Sequence, residues 1–244
     1  MFNLQHILYM VISGLLTVLL LILSAKCVRR EKTKKGILYF WAIVTVVIHY
    51  SNLWVNYFTT GGNATIENNH ILPVYPCNVV MWTLFACALI RDKKSLPFQL
   101  LAEFSFYAGI AGGVIGIVVN KNFGNTPTLA DYDILKSMVS HSTMLTGCIY
   151  LLVGKFITIS RFNLVSITAG TILFVLCGLG VDGLYRLSGM EPPDGMFLQS
   201  NPYVPFSPVL VGLGILMVLL GILTVWERKL PTRERWYAKL IKKK

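Results

Sequence analysis

The chain has 244 residues, 55% hydrophobic and 14% charged, with a mean hydropathy of +0.63. Soluble domains carry about 25% charged residues, so a soluble globular protein is excluded. The net charge of +11 would suit a nucleic-acid binder, but the cations gather in alternate loops between apolar blocks, which is how a membrane protein is oriented.

Seven blocks approach the roughly 20 mostly apolar residues that a span requires. They run over 4–25, 37–58, 73–90, 97–119, 135–158, 163–186 and 207–226. Little chain is left over, so the expected fold is all-α. It is a single transmembrane domain over 1–244, a polytopic bundle of seven transmembrane helices with a basic tail at 227–244. Lys and Arg number six in 26–36, three in 91–94, two in 155–161 and eight from 227 onward, against only Lys121, Lys136 and Arg186 in the other loops. Nineteen against three places the basic loops and the C-terminus in the cytoplasm and the N-terminus outside. The expected location is the cell membrane, with the chain multi-pass. Its expected partners are membrane lipids, with the basic loops on the anionic inner-leaflet surface. No nucleic acid is expected.

The first block has no basic segment ahead of it and no small-residue cleavage site, so it reads as a retained span and not a signal peptide. It carries His6 near its outer end and then a Leu-rich run with no polar stripe, which suits packing against lipid. In the second block Thr45, His49, Asn52 and Asn56 recur at spacings of four, three and four, on one helical face. Such a stripe must face the bundle or a water-filled cavity. Bonding to neighbouring helices and lining a cavity are both open readings.

The outer loop 59–72 has no Lys or Arg and contains the glycosylation sequon Asn63-Ala64-Thr65. It leads to His70-Ile71-Leu72-Pro73-Val74-Tyr75-Pro76-Cys77, where a polar loop turns into an apolar run. Pro76 suits the first position of a helix. Cys77 would then lie in the first turn, where unpaired N–H groups and the helix dipole favour an anion and a thiol ionises more readily. A lone cysteine in an apolar span is also commonly a small packing residue, and the spacing alone does not separate the two. The five cysteines (27, 77, 87, 148 and 177) are scattered and form no disulfide framework.

In the fourth block Gly109, Gly112, Gly113 and Gly116 make two overlapping small-xxx-small pairs, a surface for close helix contact. Glu103, on the cytoplasmic half of the same block, is either paired internally or snorkels to the interface. Asp131 and Asp133 in the next outer loop read as a solvated acidic surface. The fifth block opens with Ser140-His141-Ser142, and His141 and Cys148 are seven apart, on one face. Counting depth from the outer interface places His141 and Cys77 at similar levels and His49 somewhat deeper.

In the sixth block Asp182 and Arg186 are four apart, the spacing of a local ion pair. Asp182 could instead hold an imidazole. The Pro- and aromatic-rich loop 187–206 reads as an ordered lid. The tail, with Trp226, Trp236 and Tyr237 among basic residues, reads as lying along the inner surface.

Taken together, the seven spans, Leu72-Pro73 with Cys77 before the third, His141 early in the fifth, and Met196-Phe197-Leu198 with Pro202 before the seventh resemble the YwaF family of bacterial integral membrane proteins, related to eukaryotic transmembrane protein 164. The resemblance implies a lipid acyltransferase with a cysteine and histidine catalytic pair, which would be Cys77 and His141. The residues are then a Cys77 nucleophile and a His141 base near the outer leaflet, acting on phospholipid as an acyltransferase or lipid hydrolase. His49, Asn52, Asn56 and Asp182 would bind substrate or line a cavity. The competing reading is a transporter or lipid-handling protein with a polar path through the bundle, although no pair of matching broken-helix halves is visible. A metal site from three histidines and a cysteine has poor spacing, so neither metal nor cofactor is expected.

Overall fold

A computed structural model of the chain describes residues 3–59, 61, 72–119, 128–160, 162–198 and 222–223. Outside the described residues lie the sequon, His70, the loop around Lys121, nearly all of the seventh block, Pro202 and the basic tail.

Six α-helices make up the described chain. They are α1 (Leu4–Cys27), α2 (Glu31–Thr59), α3 (Pro76–Leu89), α4 (Leu96–Val118), α5 (Tyr132–Val153) and α6 (Asn163–Leu187). A short 3-10 turn at Gly195–Phe197 follows, and among the described residues there is no strand. The fold is therefore all-helical. Four helices, α1, α2, α4 and α6, are long and apolar enough to cross a membrane. α3 is apolar but has only 14 residues, about 21 Å at 1.5 Å per residue. α5 has the length, with 22 residues, but its polar residues (Lys136, Ser137, Ser140, His141, Ser142, Thr143 and Thr146 among them) dilute its hydropathy.

Local chemistry sets the ends. Asn3 caps α1 by accepting from the His6 N–H at 2.9 Å. Asp131 caps α5 by accepting from the Asp133 and Ile134 N–H groups at 2.9 and 3.3 Å, a role that the acidic-surface reading missed. Pro76 opens α3 as its spacing predicts. The far end of α3 is closed by Lys35, whose ammonium donates to the Cys87 and Ile90 carbonyls at 3.0 and 2.5 Å. Lys35 thereby satisfies carbonyls that a helix end leaves orphaned.

α5 is the hub. It packs most extensively on α4, then on α2 and α1, and it also touches α3; α4 in turn packs on α3 and α6. This explains how so polar a helix is accommodated: its hydroxyls meet other helices and not lipid. Thr45 of α2 donates to the Trp41 carbonyl at 2.8 Å and meets Thr143 at 3.1 Å. α1 also departs from the plain lipid-facing helix that its sequence suggests. His6, Tyr9, Ser13 and Thr17 recur at three, four and four, and three of them tie α1 to the bundle. The fully buried His6 ring bonds the Ile117 carbonyl at 2.7 Å, Tyr9 meets Ser142 at 2.9 Å, and Thr17 meets Thr146 at 3.0 Å. The remaining faces of α1 are exposed leucines, isoleucines and valines, as a lipid-facing surface requires.

Candidate functional site

The glycine stripe of α4 receives α5. A Cβ on Gly109 would collide with the Cys148 side chain, one on Gly113 would lie 2.9 Å from the Leu145 Cβ, and one on Gly116 would overlap the His141 ring. The small residues therefore let His141, Leu145 and Cys148 press directly on the α4 backbone. The His141 Nδ1 lies 2.7 Å from the Ser137 carbonyl. A carbonyl only accepts, so Nδ1 carries the proton and Nε2 is left as an acceptor in the neutral ring.

Cys77, half-buried, occupies the first turn of α3 and packs against the main core, which includes Val80, Met144 and Cys148. A common level fixes its depth relative to His141. A Cβ on Gly109 would lie close to both Val80 and Cys148, so Val80 and Cys148 sit level across the α3–α4–α5 junction. Cys77 precedes Val80 by three residues on α3 and His141 precedes Cys148 by seven on α5. At 1.5 Å per residue His141 is about 6 Å further toward the N-terminal ends of these helices. The Lys136 ammonium is near enough to act electrostatically on both groups.

His49 joins this neighbourhood through Asn78. The Asn78 Nδ2 donates to His49 Nε2 at 2.8 Å, while its Oδ1 accepts from the Tyr75 N–H at 2.9 Å. Asn78 thus holds the His49 ring and the start of α3 in one unit, beside the thiol. Asn52 belongs to a different contact: its Nδ2 donates to Asp133 Oδ1 at 2.5 Å, at the N-terminal end of α5. Asn56 extends the stripe one turn further toward the C-terminal end of α2 and is half-buried. The stripe of α2 is engaged with α3 and α5, the helix-bonding alternative of the two readings for Thr45, His49 and Asn52.

Asp182 does not form the local ion pair that its spacing with Arg186 suggests. The two ion pairs among the described residues are those of Glu31 with Lys34 and with Lys93. The buried Asp182 carboxylate instead accepts from the Gly195 N–H at 2.8 Å, while Arg186 is exposed. Gly178 and Gly195 pack so closely that a Cβ on Gly195 would lie 2.8 Å from the Gly178 carbonyl oxygen. The strap from Asp194 to Leu198 then crosses the approach to α3. The Met196 N–H donates to the Val74 carbonyl at 2.7 Å, and the Phe197 and Tyr75 ring centroids are 5.5 Å apart. Asp194, Met196 and Phe197 hold φ of 55°, 59° and 55°, left-handed values that are strained for residues other than glycine. The described part of the lid is therefore ordered, docked over the segment that delivers Cys77.

Glu103 is buried and accepts from the Ser166 hydroxyl at 2.6 Å, the internal alternative. Among the described residues no three His, Cys, Asp and Glu side chains gather to hold a metal ion. Sequence reasoning missed Asn78 and Lys136. Asn78 carried a signal, a polar residue at the third helical position where a side chain can reach back to the cap. Lys136 looked like a loop cation.

The model of the TMEM164 family matches residues 1–226 of this chain. No curated protein and no solved structure matches it.

Proposed function

The chain belongs to the TMEM164 family of membrane proteins, and from that premise we propose that it is a phospholipid acyltransferase that works through Cys77 and His141. The observation that supports the reading is that Cys77 packs on the core that contains Val80 and Cys148, while His141, on the same helix as Cys148, presses on α4 at Gly116. In the first half-reaction the thiol proton passes to His141 Nε2 and the sulfur attacks the ester carbonyl carbon of a phospholipid. The ester C–O bond breaks, the lyso-lipid oxygen takes the proton back from the imidazolium, and the acyl group remains on sulfur as a thioester. A lyso-lipid hydroxyl then attacks the thioester, His141 accepts its proton, and the C–S bond breaks to restore the thiol. Water in place of the lyso-lipid gives hydrolysis.

The bond from Nδ1 to the Ser137 carbonyl supports this role, since it leaves Nε2 able to accept. The axial offset of about 6 Å, from the helix rise, is bridged by one water or by the ester itself. The first-turn N–H groups of α3 and the Lys136 ammonium are suited to stabilise the oxyanion. Asn78, with His49 behind it, positions that turn. Asp182 acts through the strap. The charge pattern supports a multi-pass chain in the cell membrane with its N-terminus outside, so the site opens toward the outer leaflet.

The test is transfer of a labelled acyl chain from phosphatidylcholine to a lyso-phospholipid by the purified chain in nanodiscs. Cys77→Ala and His141→Ala should each reduce transfer to background while the protein stays folded. Retained transfer in Cys77→Ala removes the cysteine from the mechanism.

A further inference from the structure

Behind α5, on the side away from His141, a cleft of about 410 Å³ runs between α1, α2 and α5. Its walls follow α1 from Gln5 to Leu20, with Trp41 of α2 and Ser142, Thr143 and Thr146 of α5 opposite. His141 and Thr143 differ by two residues, about 200° around a helix. The cleft is therefore separate from the glycine-lined contact of α4 and α5.

We infer that this cleft binds one extended acyl chain of a phospholipid, from the leaflet that holds the N-terminal end of α1. Its length fits, since Gln5 to Leu20 spans about 22 Å along the helix. The volume divided by that length leaves a cross-section of about 18 Å². Hydrocarbon chains in contact keep their carbons about 4.0–4.5 Å apart, so one extended chain occupies about 16–20 Å². The cleft is one chain wide, and it runs along a membrane-length helix, as a lipid tail does.

The walls are mostly carbon. Ser142 donates to the Met138 carbonyl at 2.9 Å and Thr146 to the Ser142 carbonyl at 2.8 Å. Their hydroxyl protons are spent, so Tyr9 and Thr17 are the donors in the Tyr9–Ser142 and Thr17–Thr146 bonds. Thr143 donates to the Ser140 carbonyl at 3.0 Å, and the Gln5 Oε1 accepts from the Leu129 N–H at 3.0 Å. With the α5 hydroxyl protons on carbonyls of their own helix and Tyr9 and Thr17 bonded across to α5, the cleft presents carbon: Leu8, Ile12, Leu16, Leu20 and the Trp41 ring. In a bilayer the polar groups keep α1 attached while the cleft beside them stays apolar.

The experiment uses the full chain in nanodiscs with a phosphatidylcholine that carries a diazirine midway along one acyl chain. After illumination, adducts are mapped by mass spectrometry. Ile12, Leu16 and Thr143 should be labelled about tenfold above Val11 and Val18, which are exposed on the opposite face of α1, the ratio of a site that is preferred over bulk lipid by a factor of ten. Excess unlabelled phosphatidylcholine should reduce only the cleft adducts. Ile12→Trp should remove them and Val18→Trp, on the opposite face, should leave them. Even labelling around α1, or adducts that do not saturate, overturns the inference whether or not the Ile12 variant folds.

Discussion

Replacing Gly116 by Ala tests the α4–α5 contact that holds His141. A Cβ there overlaps Cγ, Cδ2 and Nε2 of the imidazole. Because Cγ is included, rotating the ring about χ2 does not clear it. Either χ1 moves, which breaks the bond to the Ser137 carbonyl, or the helices part. Overpacking of this kind costs about 1–3 kcal/mol. Exchanging Gly for Ala inside a helix returns up to about 1 kcal/mol. The control is Gly112→Ala, one turn away on α4, where the nearest atom is the flexible Met144 Cε at 4.0 Å. That variant should collect the propensity gain without the clash. In detergent, Gly112→Ala should melt at or above the parent temperature. Gly116→Ala should melt several degrees lower, at about 2–4 °C per kcal/mol for a chain of this size. Nitrogen NMR of the His141 ring should show the tautomer disturbed in the second variant only. A Gly116→Ala protein as stable as Gly112→Ala, with an unchanged ring spectrum, would refute the packing described for His141.

Two further outcomes follow from contacts outside that interface. Asp182→Ala removes the acceptor of the Gly195 N–H and leaves it buried, at a cost of about 1–3 kcal/mol. Hydrogen exchange of the Met196 amide, bonded to Val74, should therefore accelerate, whereas Asp182→Asn, which keeps an acceptor, should change it less; equal exchange in all three proteins contradicts the strap. At the start of α2, outside the apolar block, hydrogen bonds from Lys34 and Lys93 hold the exposed Glu31 carboxyl down from its ordinary 4.5 to about 2. The folded value is depressed, so this contact is intact above the ordinary value and is lost as pH falls from about 4.5 through about 2. A carboxyl titration of Glu31 with its midpoint at 4.5 would show that the lysines do not engage it in solution.

Much of the helical plan is legible in the chain. The apolar blocks locate the six described helices, and Pro76 marks where α3 begins. The glycine stripe of α4 announces a close contact, and the stripe on α2 announces an inward face. Spacing names a face but not its partner, so nothing in it says that Gly116 receives His141 or that His49 meets Asn78. The same limit explains Asp182: an i,i+4 partner is visible in sequence, whereas the Gly195 N–H is brought in by a loop fold that only tertiary packing sets. α1 is a different case. His6, Tyr9, Ser13 and Thr17 are as regular as the stripe on α2, but they sit among so many leucines that high hydropathy masks their period. The fifth block overran its helix because Gly154 and the left-handed Lys155, with φ of 61°, end α5 while apolar residues continue to Ile157.

The chemical account depends on sulfur carrying the acyl group. Incubation of the full-length protein with a phospholipid of one defined chain length, quenching at acidic pH and peptide mapping by mass would detect that species directly. The account predicts a thioester of that chain on Cys77, cleared by neutral hydroxylamine and lost when His141 is replaced. A turning-over enzyme whose Cys77 peptide never gains the acyl mass would contradict it.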